Sequence, residues 1–476
     1  MKKIIYSMTF LVLLVACTKD FENINVNPNS PQTATEALLL PTVIFNLSNL
    51  LVNESHNFGE VTAQYGARYQ FNDLDLYRWQ PDDRFWSPLY AILQDLNDIE
   101  KIAVTNGNVN YQAIAKILKA YIFSLITDAY GDVPMSEANQ AQEGITTPTY
   151  DTQQSIYQKL FTLLEEANTS IDLSVTVGGD RLYQGDMMKW KKFANSLRLR
   201  LLLHASNKLD VSAAMSEITN NPGTFPLFAS NDDNAVYTYS GVLPDIAPVA
   251  APGGGRGFEY FLNIPTTHFI NTLHKNNDPR LDLWISPRDC DGSDPGCTPD
   301  NLQGLAPGQT TGDIGGASDY SRRAVAFFES ATLIKGILMT YSELNFILAE
   351  AQEKGLIATG SAQQYYNDGV TASFDQWGVA MPSDFLTTTI PYDNTTDRLY
   401  EQKWLALYHT GFEAWLDWKR TSKPSFIQAG PGTINNGNVP FRLLYPALEQ
   451  SINAQNYNTA ADAMSGDNIN SSSWWW

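Results

Sequence analysis

Aromatic side chains crowd one short stretch of the chain, between residues 65 and 86. The rings are those of Tyr65, Tyr69, Phe71, Tyr77, Trp79 and Trp86, and the polar residues among them are Arg68, Asn72, Asp73, Asp75 and Arg78. Aromatic faces stack on the apolar faces of sugar rings or on peptide side chains, while neighbouring amides and charges bind hydroxyl or backbone groups. The stretch therefore predicts a binding surface, although for any single ring burial in the core is the favoured alternative.

Spacing separates the rings of this stretch into two groups. Trp86 recurs at helical spacing with later apolar residues, so we expect it in the core. Tyr69, Tyr77 and Trp79 lie where periodicity is weak, so we expect them to be exposed. The candidate ligand-binding residues of the stretch are Arg68, Tyr69, Asp73, Tyr77 and Trp79.

A second candidate binding group follows three consecutive glycines, residues 253–255, and consists of Arg256, Phe258 and Tyr260. The glycines have a superficial similarity to a phosphate-binding loop. No buried strand precedes them and the spacing is wrong, so a surface loop is the favoured interpretation.

Alternating carboxylates suggest a candidate calcium loop at Asp289, Asp291 and Asp294, around Gly292. Hard cations prefer several oxygen ligands on a sharply turning loop, but the distal glutamate of an EF-hand is missing. A solvated acidic loop is the favoured alternative. No cofactor is expected to be required, and a structural calcium ion is the one candidate.

Two cysteines of this region, Cys290 and Cys297, are close in sequence. For an exported protein we expect them to form a disulfide that closes a short loop. Two reduced thiols or a metal pair are the alternatives. A zinc site would need further ligands, and the chain has only five scattered histidines.

Signatures of catalysis are missing from the sequence, which contains no HExxH, GxSxG or P-loop motif. A glycosidase needs a pair of carboxylates beside the scissile bond. The chain has 51 acidic residues, and nothing singles out such a pair. Signals for an enzyme are therefore poor, and a surface-anchored hydrolase that degrades glycans stays open as the alternative.

The first residues have the pattern of a lipoprotein signal. Lys2 and Lys3 precede the apolar run 4–15, and residues 14–17 (LVAC) have the form of a lipobox. We expect residues 1–16 to be removed and Cys17 to carry the lipid. A transmembrane anchor or a buried helix is the alternative, but the apolar run is short for a membrane span. Residues 17–33 are rich in Asn and Pro and predict an extended tether.

The composition and net charge limit the kinds of molecule that the protein could bind. The chain has 476 residues, 43% of them hydrophobic, and a formal net charge of −20. A strongly anionic surface repels phosphate backbones, so we expect no nucleic-acid partner. Anionic lipid would not attract such a surface either, so attachment to a membrane must come from the lipid on Cys17.

Apolar residues recurring every three or four positions predict a mainly α protein. The predicted helices span residues 34–52, 82–102, 111–129, 153–171, 187–206, 333–354, 362–376 and 399–419. Predicted strands are few and short, for example residues 235–239. Helix pairs joined by short turns favour a helical-repeat scaffold. Residues 34–476 are expected to form one domain, and residues 222–330, rich in Gly, Pro, Asp and aromatics, a loop-rich insertion on one face.

Several segments resemble the SusD/RagB family and follow one another in the family's order. Their sequences are closest to the branch called SusD-like 2. The matching segments are 113–138 (AIAKILKAYIFSLITDAYGDVPMSEA), 190–200 (WKKFANSLRLR), 277–281 (NDPRL), 343–351 (ELNFILAEA), 402–421 and 440–446 (PFRLLYP). The residues just after Cys17 are acidic and resemble a surface-export signal of lipoproteins in the Bacteroidetes group.

The resemblance implies tetratricopeptide-like helix pairs with a ligand face built by the loop-rich insertion. It implies an outer-membrane lipoprotein, facing the cell exterior, that captures oligosaccharides or peptides and delivers them to a TonB-dependent, SusC-like barrel without catalysis. The matching segments are interpreted as structural, with Trp190 and Trp404 packing helices together. Because ligand sites of the family lie in variable loops, no binding residue carries over by motif.

Overall fold

The computed structural model describes residues 34–250, 262–288, 302–316, 319–472 and 474–475. Several residues of the sequence analysis lie outside these ranges, so the predictions made for them stay predictions. They are Cys17 with the signal segment and tether, Arg256, Phe258 and Tyr260, and the acidic loop with Asp289, Cys290, Asp291, Asp294 and Cys297.

Helices dominate the described chain. The long ones are α1 (Glu36–Glu54), α3 (Trp86–Asn106), α4 (Val109–Tyr130), α5 (Gln153–Ser170), α6 (Met187–Ala205), α11 (Tyr341–Glu353), α12 (Ala362–Trp377) and α13 (Thr396–Ala406). The shorter ones are α2 (Glu60–Thr62), α7 (Ser212–Asn220), α8 (Thr267–Lys275), α9 (Arg280–Trp284), α10 (Ala326–Glu329), α14 (Glu413–Thr421), α15 (Ala447–Ile452) and α16 (Ala454–Ala463).

Successive long helices pack against one another as pairs: α3 with α4, α4 with α5, α5 with α6, and α11 with α12. Side-chain caps set several starts, because a hydroxyl or carboxylate oxygen there accepts otherwise unpaired backbone N–H groups. Thr152 accepts from Ser155 at the start of α5, and Asp186 accepts from Met188 and Lys189 at the start of α6.

Strands are short and occur as three separate antiparallel pairs in the described residues. β1 (Gly66–Arg68) pairs with β3 (Asn263–Pro265), β2 (Ala235–Tyr237) with β6 (Gly336–Met339), and β4 (Ile285–Ser286) with β5 (Arg322–Arg323). Most of these strands lie in or beside the predicted insertion. The insertion also contains the short helices α8 and α9, which the sequence analysis did not predict.

The predicted helix 333–354 is wrong in its first part. Residues Gly336–Met339 form β6, which pairs with β2 in the register Ala235↔Met339 and Tyr237↔Gly336. The helix begins only after Thr340, whose hydroxyl accepts the backbone N–H of Glu343. A short apolar run is compatible with either a strand or a helix, and here the pairing with a distant strand decides between them.

The predicted helix 399–419 is two helices, α13 and α14. The chain turns between them at His409 (φ 66°) and Gly411 (φ 62°). The π-helical turn Ser55–Gly59 after α1 passes so close that a Cβ on Gly59 would lie 1.9 Å from the carbonyl oxygen of Gly411. This contact between segments distant in sequence requires the break and the glycine at position 59.

A large cluster of buried apolar side chains extends from Leu40 on α1 to Trp475 near the end of the chain. Residues Glu36–Thr62 are long and apolar enough, by composition, to cross a membrane, but Leu40 and Leu47 are fully buried against other helices. Trp86, Trp190 and Trp404 are all buried, as the sequence analysis expected.

The two described tryptophans at the end of the chain pack on the body of the protein. Trp475 is fully buried; its indole N–H donates to Asp128 Oδ1 at 2.7 Å and its ring stacks on His204 with centroids 5.3 Å apart. Trp474 contacts Tyr157 at a centroid distance of 5.7 Å. The chain end therefore closes the core beside α4 and α6.

Buried ion pairs connect the helices that carry the family-like segments. Arg200 on α6 binds Glu343 on α11 through two hydrogen bonds of 2.5 and 2.6 Å. Arg420 on α14 binds Glu350 on α11, with Nη2 to Oε2 at 2.6 Å. Burial alone would lower the pKa of Arg420, but the charges of Glu350 and Asp417 raise it well above its usual value. These segments are structural, because their buried charges are paired with one another.

Candidate functional site

The first part of the candidate site is the aromatic loop, residues 69–79, which leaves β1. Its start is held by the β1–β3 pair, and the Tyr69 N–H donates to the Leu262 carbonyl at 2.8 Å. A small apolar cluster of Ala67, Ile264, Leu305 and Tyr320 packs beneath this pair. The base of the loop is therefore fixed although strands of this length are weak alone.

Two other segments contact the aromatic loop, residues 302–316 and residues 428–435. The Asn72 side-chain amide donates to the Gln309 carbonyl at 3.1 Å, and the Ile434 N–H donates to the Leu76 carbonyl at 3.1 Å. The two segments also touch each other, since a Cβ on Gly430 would lie 1.9 Å from the Pro307 carbonyl oxygen. We call the three segments together the loop face.

Phe71 is the most exposed ring of the loop face. Its side chain is 74% exposed, and its backbone φ is 54°, in the left-handed region. This conformation costs a residue with a Cβ about 1–2 kcal/mol, and strained residues persist where the surrounding structure holds them, often at ligand sites. Asn72, bonded to the 302–316 segment, follows directly and holds this turn. The strain thus presents an aromatic ring to the outside.

Charged groups of β1 and of the aromatic loop lie at two depths. The Arg68 backbone N–H donates to Asp75 Oδ2 at 2.6 Å, and its guanidinium donates to the Asn57 carbonyl at 3.0 Å. Burial raises the pKa of Asp75 to about 7, against the opposing effects of the Arg68 N–H and charge. Asp73 and Arg78 form an ion pair of 3.2 Å at the exposed rim. Such a rim pair contributes little to stability and is accessible to a ligand.

The predicted exposure of Tyr77 is wrong, because its side chain is only 8% exposed. Trp79 is partly buried; its indole N–H donates to the Leu74 carbonyl at 3.0 Å, and its ring lies 5.4 Å from Phe58 and 5.9 Å from Trp415. The chain adopts a positive φ at Tyr77, 57°, and returns toward the core there. Both rings therefore support the loop from beneath.

The other predicted residues of this stretch lie at the loop face. Tyr69 is partly buried against the small apolar cluster, Arg68 is partly buried, and Asp73 is exposed. Phe71 was not selected from the sequence, although the Asn72-Asp73 pair after it is a turn signal that could have indicated an exposed ring.

The second predicted group, Arg256, Phe258 and Tyr260, lies outside the described residues. Leu262, the first described residue after that segment, accepts the backbone N–H of Tyr69 with its carbonyl. Among the described residues, no cluster of three or more His, Cys, Asp or Glu side chains could hold a metal ion. The calcium loop and the Cys290–Cys297 disulfide, both outside those residues, remain predictions.

The loop face combines one exposed aromatic ring with amides and charges held in place by packing. Such a surface can stack on the apolar side of a sugar or on a peptide side chain and bind polar groups around it.

Comparison with known structures places the fold among SusD homologues. A SusD homologue from Bacteroides fragilis is 22% identical with a TM-score of 0.81, covering 93% of this chain and 100% of that one. A Bacteroides vulgatus outer-membrane protein described as involved in nutrient binding is 23% identical with a TM-score of 0.80, over 93% and 100% of the two chains. The tetratricopeptide-like helical fold expected from the sequence is thereby confirmed.

A chitin-binding protein is 28% identical to this chain with a TM-score of 0.75, covering 91% of this chain and 99% of that one. A comparison with curated protein sequences gives no match. The family model SusD-like 2, described as "starch-binding associating with outer membrane", matches residues 28–446. The chain therefore belongs to the SusD-like family of glycan-binding proteins associated with the outer membrane.

Proposed function

We propose that this protein is a cell-surface lipoprotein that captures oligosaccharides at the loop face. It delivers them, without catalysis, to a TonB-dependent, SusC-like barrel in the outer membrane. The observation that carries the binding proposal is Phe71, held in a strained conformation with its ring 74% exposed. The family description and the similarity to a chitin-binding protein favour a glycan over a peptide as ligand.

Within this proposal the face works by stacking and hydrogen bonding. Phe71 contacts the apolar side of a sugar ring, and the polar groups of Arg68, Asp73 and Arg78 contact its hydroxyls. Tyr69 closes the base of the site. The predicted group Arg256, Phe258 and Tyr260 lies outside the described residues and stays a prediction.

Ligand binding is tested by titrating the detergent-solubilised protein with soluble chito-, malto- and xylo-oligosaccharides in a calorimeter. We expect saturable binding of at least one series, weakened by Phe71→Ala. Chromatography of the sugars after incubation distinguishes capture from the hydrolase alternative, since shortened products would indicate turnover. Binding of peptides with no binding of any glycan would redirect the proposal to the peptide alternative.

The transport role is tested by recovering the full-length protein from detergent-solubilised outer membranes and identifying its partners by mass. A stoichiometric TonB-dependent barrel is the expected partner. Recovery of the lipoprotein alone, under conditions that preserve such complexes, would contradict the delivery step. Cys17→Ala should lower the amount of protein recovered with the outer membrane, because it removes the proposed lipid anchor.

A further inference from the structure

Two cavities lie end to end along the surface of α12. The first, about 420 Å³, is bounded by the segment 330–337 and the end of α12, with Lys335, Trp377 and His409 among its lining residues. The second, about 330 Å³, is lined by residues that include Tyr341 and Asp368. Asp375 lines both cavities, and we call the two together the α12 trough. No residue of the loop face is among the residues that line it.

Two charged side chains of the trough lack an ion-pair partner among the described residues. In the described part of the chain, Lys335 and Asp375 form no ion pair. Asp375 also lies in the last turn of α12, which contains no basic residue, and the helix dipole disfavours a carboxylate at this end. The Asp375 side chain is exposed, so its carboxylate is solvated and accessible from the trough.

Neutral polar groups of the trough wall are unpaired as well. The Trp377 indole N–H and the Gln376 Oε1 are buried without a hydrogen-bond partner among the described residues. An unpaired buried donor or acceptor costs about 1–3 kcal/mol. Both residues line the larger cavity, but these two atoms have no accessible surface there, so a ligand would contact the other atoms of the two side chains.

Packing holds the aromatic wall rigidly. Trp377 contacts Trp284 edge to face at 5.4 Å and His409 at 6.1 Å, and its side chain remains partly exposed at the cavity. His409 is itself buried, with Nε2 accepting from Arg323 Nη2 at 2.6 Å. A fixed aromatic wall lowers the entropy cost of binding a ring against it.

We propose that the α12 trough is a second carbohydrate-binding site that takes two adjacent sugar rings of a glycan. One ring lies against Trp377 and Lys335, and the next lies beyond Asp375 toward Tyr341 and Asp368. An aromatic wall combined with a carboxylate, an amine and an amide suits a hydroxylated ring, which has an apolar face and both donors and acceptors. The ligand class rests on the proposed glycan-binding function, but the site does not use the loop face.

The test uses the full-length, detergent-solubilised protein with Phe71→Ala as background, so that binding at the loop face is weakened. The probes are maltose, cellobiose, xylobiose and N,N′-diacetylchitobiose, followed by ligand-observed saturation-transfer NMR. At least one disaccharide should bind saturably in this background. Adding Asp375→Ala or Lys335→Ala should weaken that binding at least tenfold.

Folding is monitored separately, because Asp375→Ala should leave the melting temperature unchanged or raise it. Asp462→Ala is the matched control: Asp462 is also exposed near the end of a helix, α16, but does not line the trough. This variant should leave disaccharide binding unchanged.

The outcomes separate the two sites. If the Phe71→Ala background binds no disaccharide, or if Asp375→Ala and Lys335→Ala both leave its binding unchanged, the trough proposal is wrong and the loop-face proposal is untouched. If Phe71→Ala has no effect on oligosaccharide binding while Asp375→Ala abolishes it, the loop-face proposal is wrong and the trough is the ligand site.

Discussion

Phe71 gives a prediction in which stability and binding move in opposite directions. Replacing it with glycine removes the cost of a Cβ at φ 54°, about 1–2 kcal/mol. Glycine loses about 0.5–1 kcal/mol through its greater freedom in the unfolded chain. Because the ring is 74% exposed, little packing is lost. We expect Phe71→Gly to leave the free energy of unfolding unchanged or to raise it by about 0.5–1 kcal/mol.

Binding should change in the other direction. A covered phenylalanine buries about 150–250 Å². With 74% of the side chain exposed, stacking on one face would cover about 75 Å². At about 25 cal/mol per Å² this contributes about 2 kcal/mol, or a change in Kd of about 30-fold. Both Phe71→Gly and Phe71→Ala should therefore weaken oligosaccharide binding by about this factor.

The assay combines urea denaturation with calorimetric titration of the oligosaccharide that binds the unmodified protein. Leu448→Ala is the matched control, because Leu448 is 58% exposed on α15 and outside the loop face. It should change neither quantity appreciably. A loss of more than about 1 kcal/mol of stability in Phe71→Gly would refute the strain argument, and unchanged affinity would refute the stacking argument.

Three further predictions concern buried groups. Trp79→Ala should lower the free energy of unfolding by about 3 kcal/mol, because the ring packs on Phe58; a loss under 1 kcal/mol in urea denaturation would mean that the ring is dispensable to folding. The pKa of Asp75 is raised from 3.8 to about 7, so the protein should lose up to about 4 kcal/mol as pH rises from about 4 through 7. Asp75→Asn should remove that part of the pH dependence of the free energy of unfolding, measured at pH 5 and pH 8. An equal difference in stability between the two pH values in the variant and the unmodified protein would contradict the assignment to Asp75. Trp475→Ala should lower the free energy of unfolding by about 3–5 kcal/mol, because it empties a buried site and leaves Asp128 without an indole donor. An unchanged melting temperature would show that the end of the chain does not contribute to stability.

The local pattern of apolar residues was enough to predict the helical part of the fold. The stripe through α4 and the capped start of α5 place buried and exposed faces at a fixed period, so each helix could be predicted from a short window. Buried rings on helices, such as Trp86 and Trp190, followed from the same period. The family resemblance depended on these segments too, because their charges and tryptophans hold helices together.

Contacts between segments distant in sequence decided the strands and the directions of the loop side chains. Whether residues 336–339 were strand or helix depended on β2, about one hundred residues earlier in the chain. In the aromatic loop, Phe71 and Tyr77 are both rings at positive φ, yet one faces outward and the other inward. Their directions follow from hydrogen bonds to Gln309 and Ile434, and no short window of sequence contains those partners.

The sequence by itself therefore determined the family, the helices and the core tryptophans, because periodic burial is a property of neighbouring residues. Only the tertiary structure decided which ring of the aromatic loop is exposed and that Lys335 and Asp375 line the same cavity. Side chains in loops have no period that assigns them a direction, so their exposure depends on which distant segments pack against them.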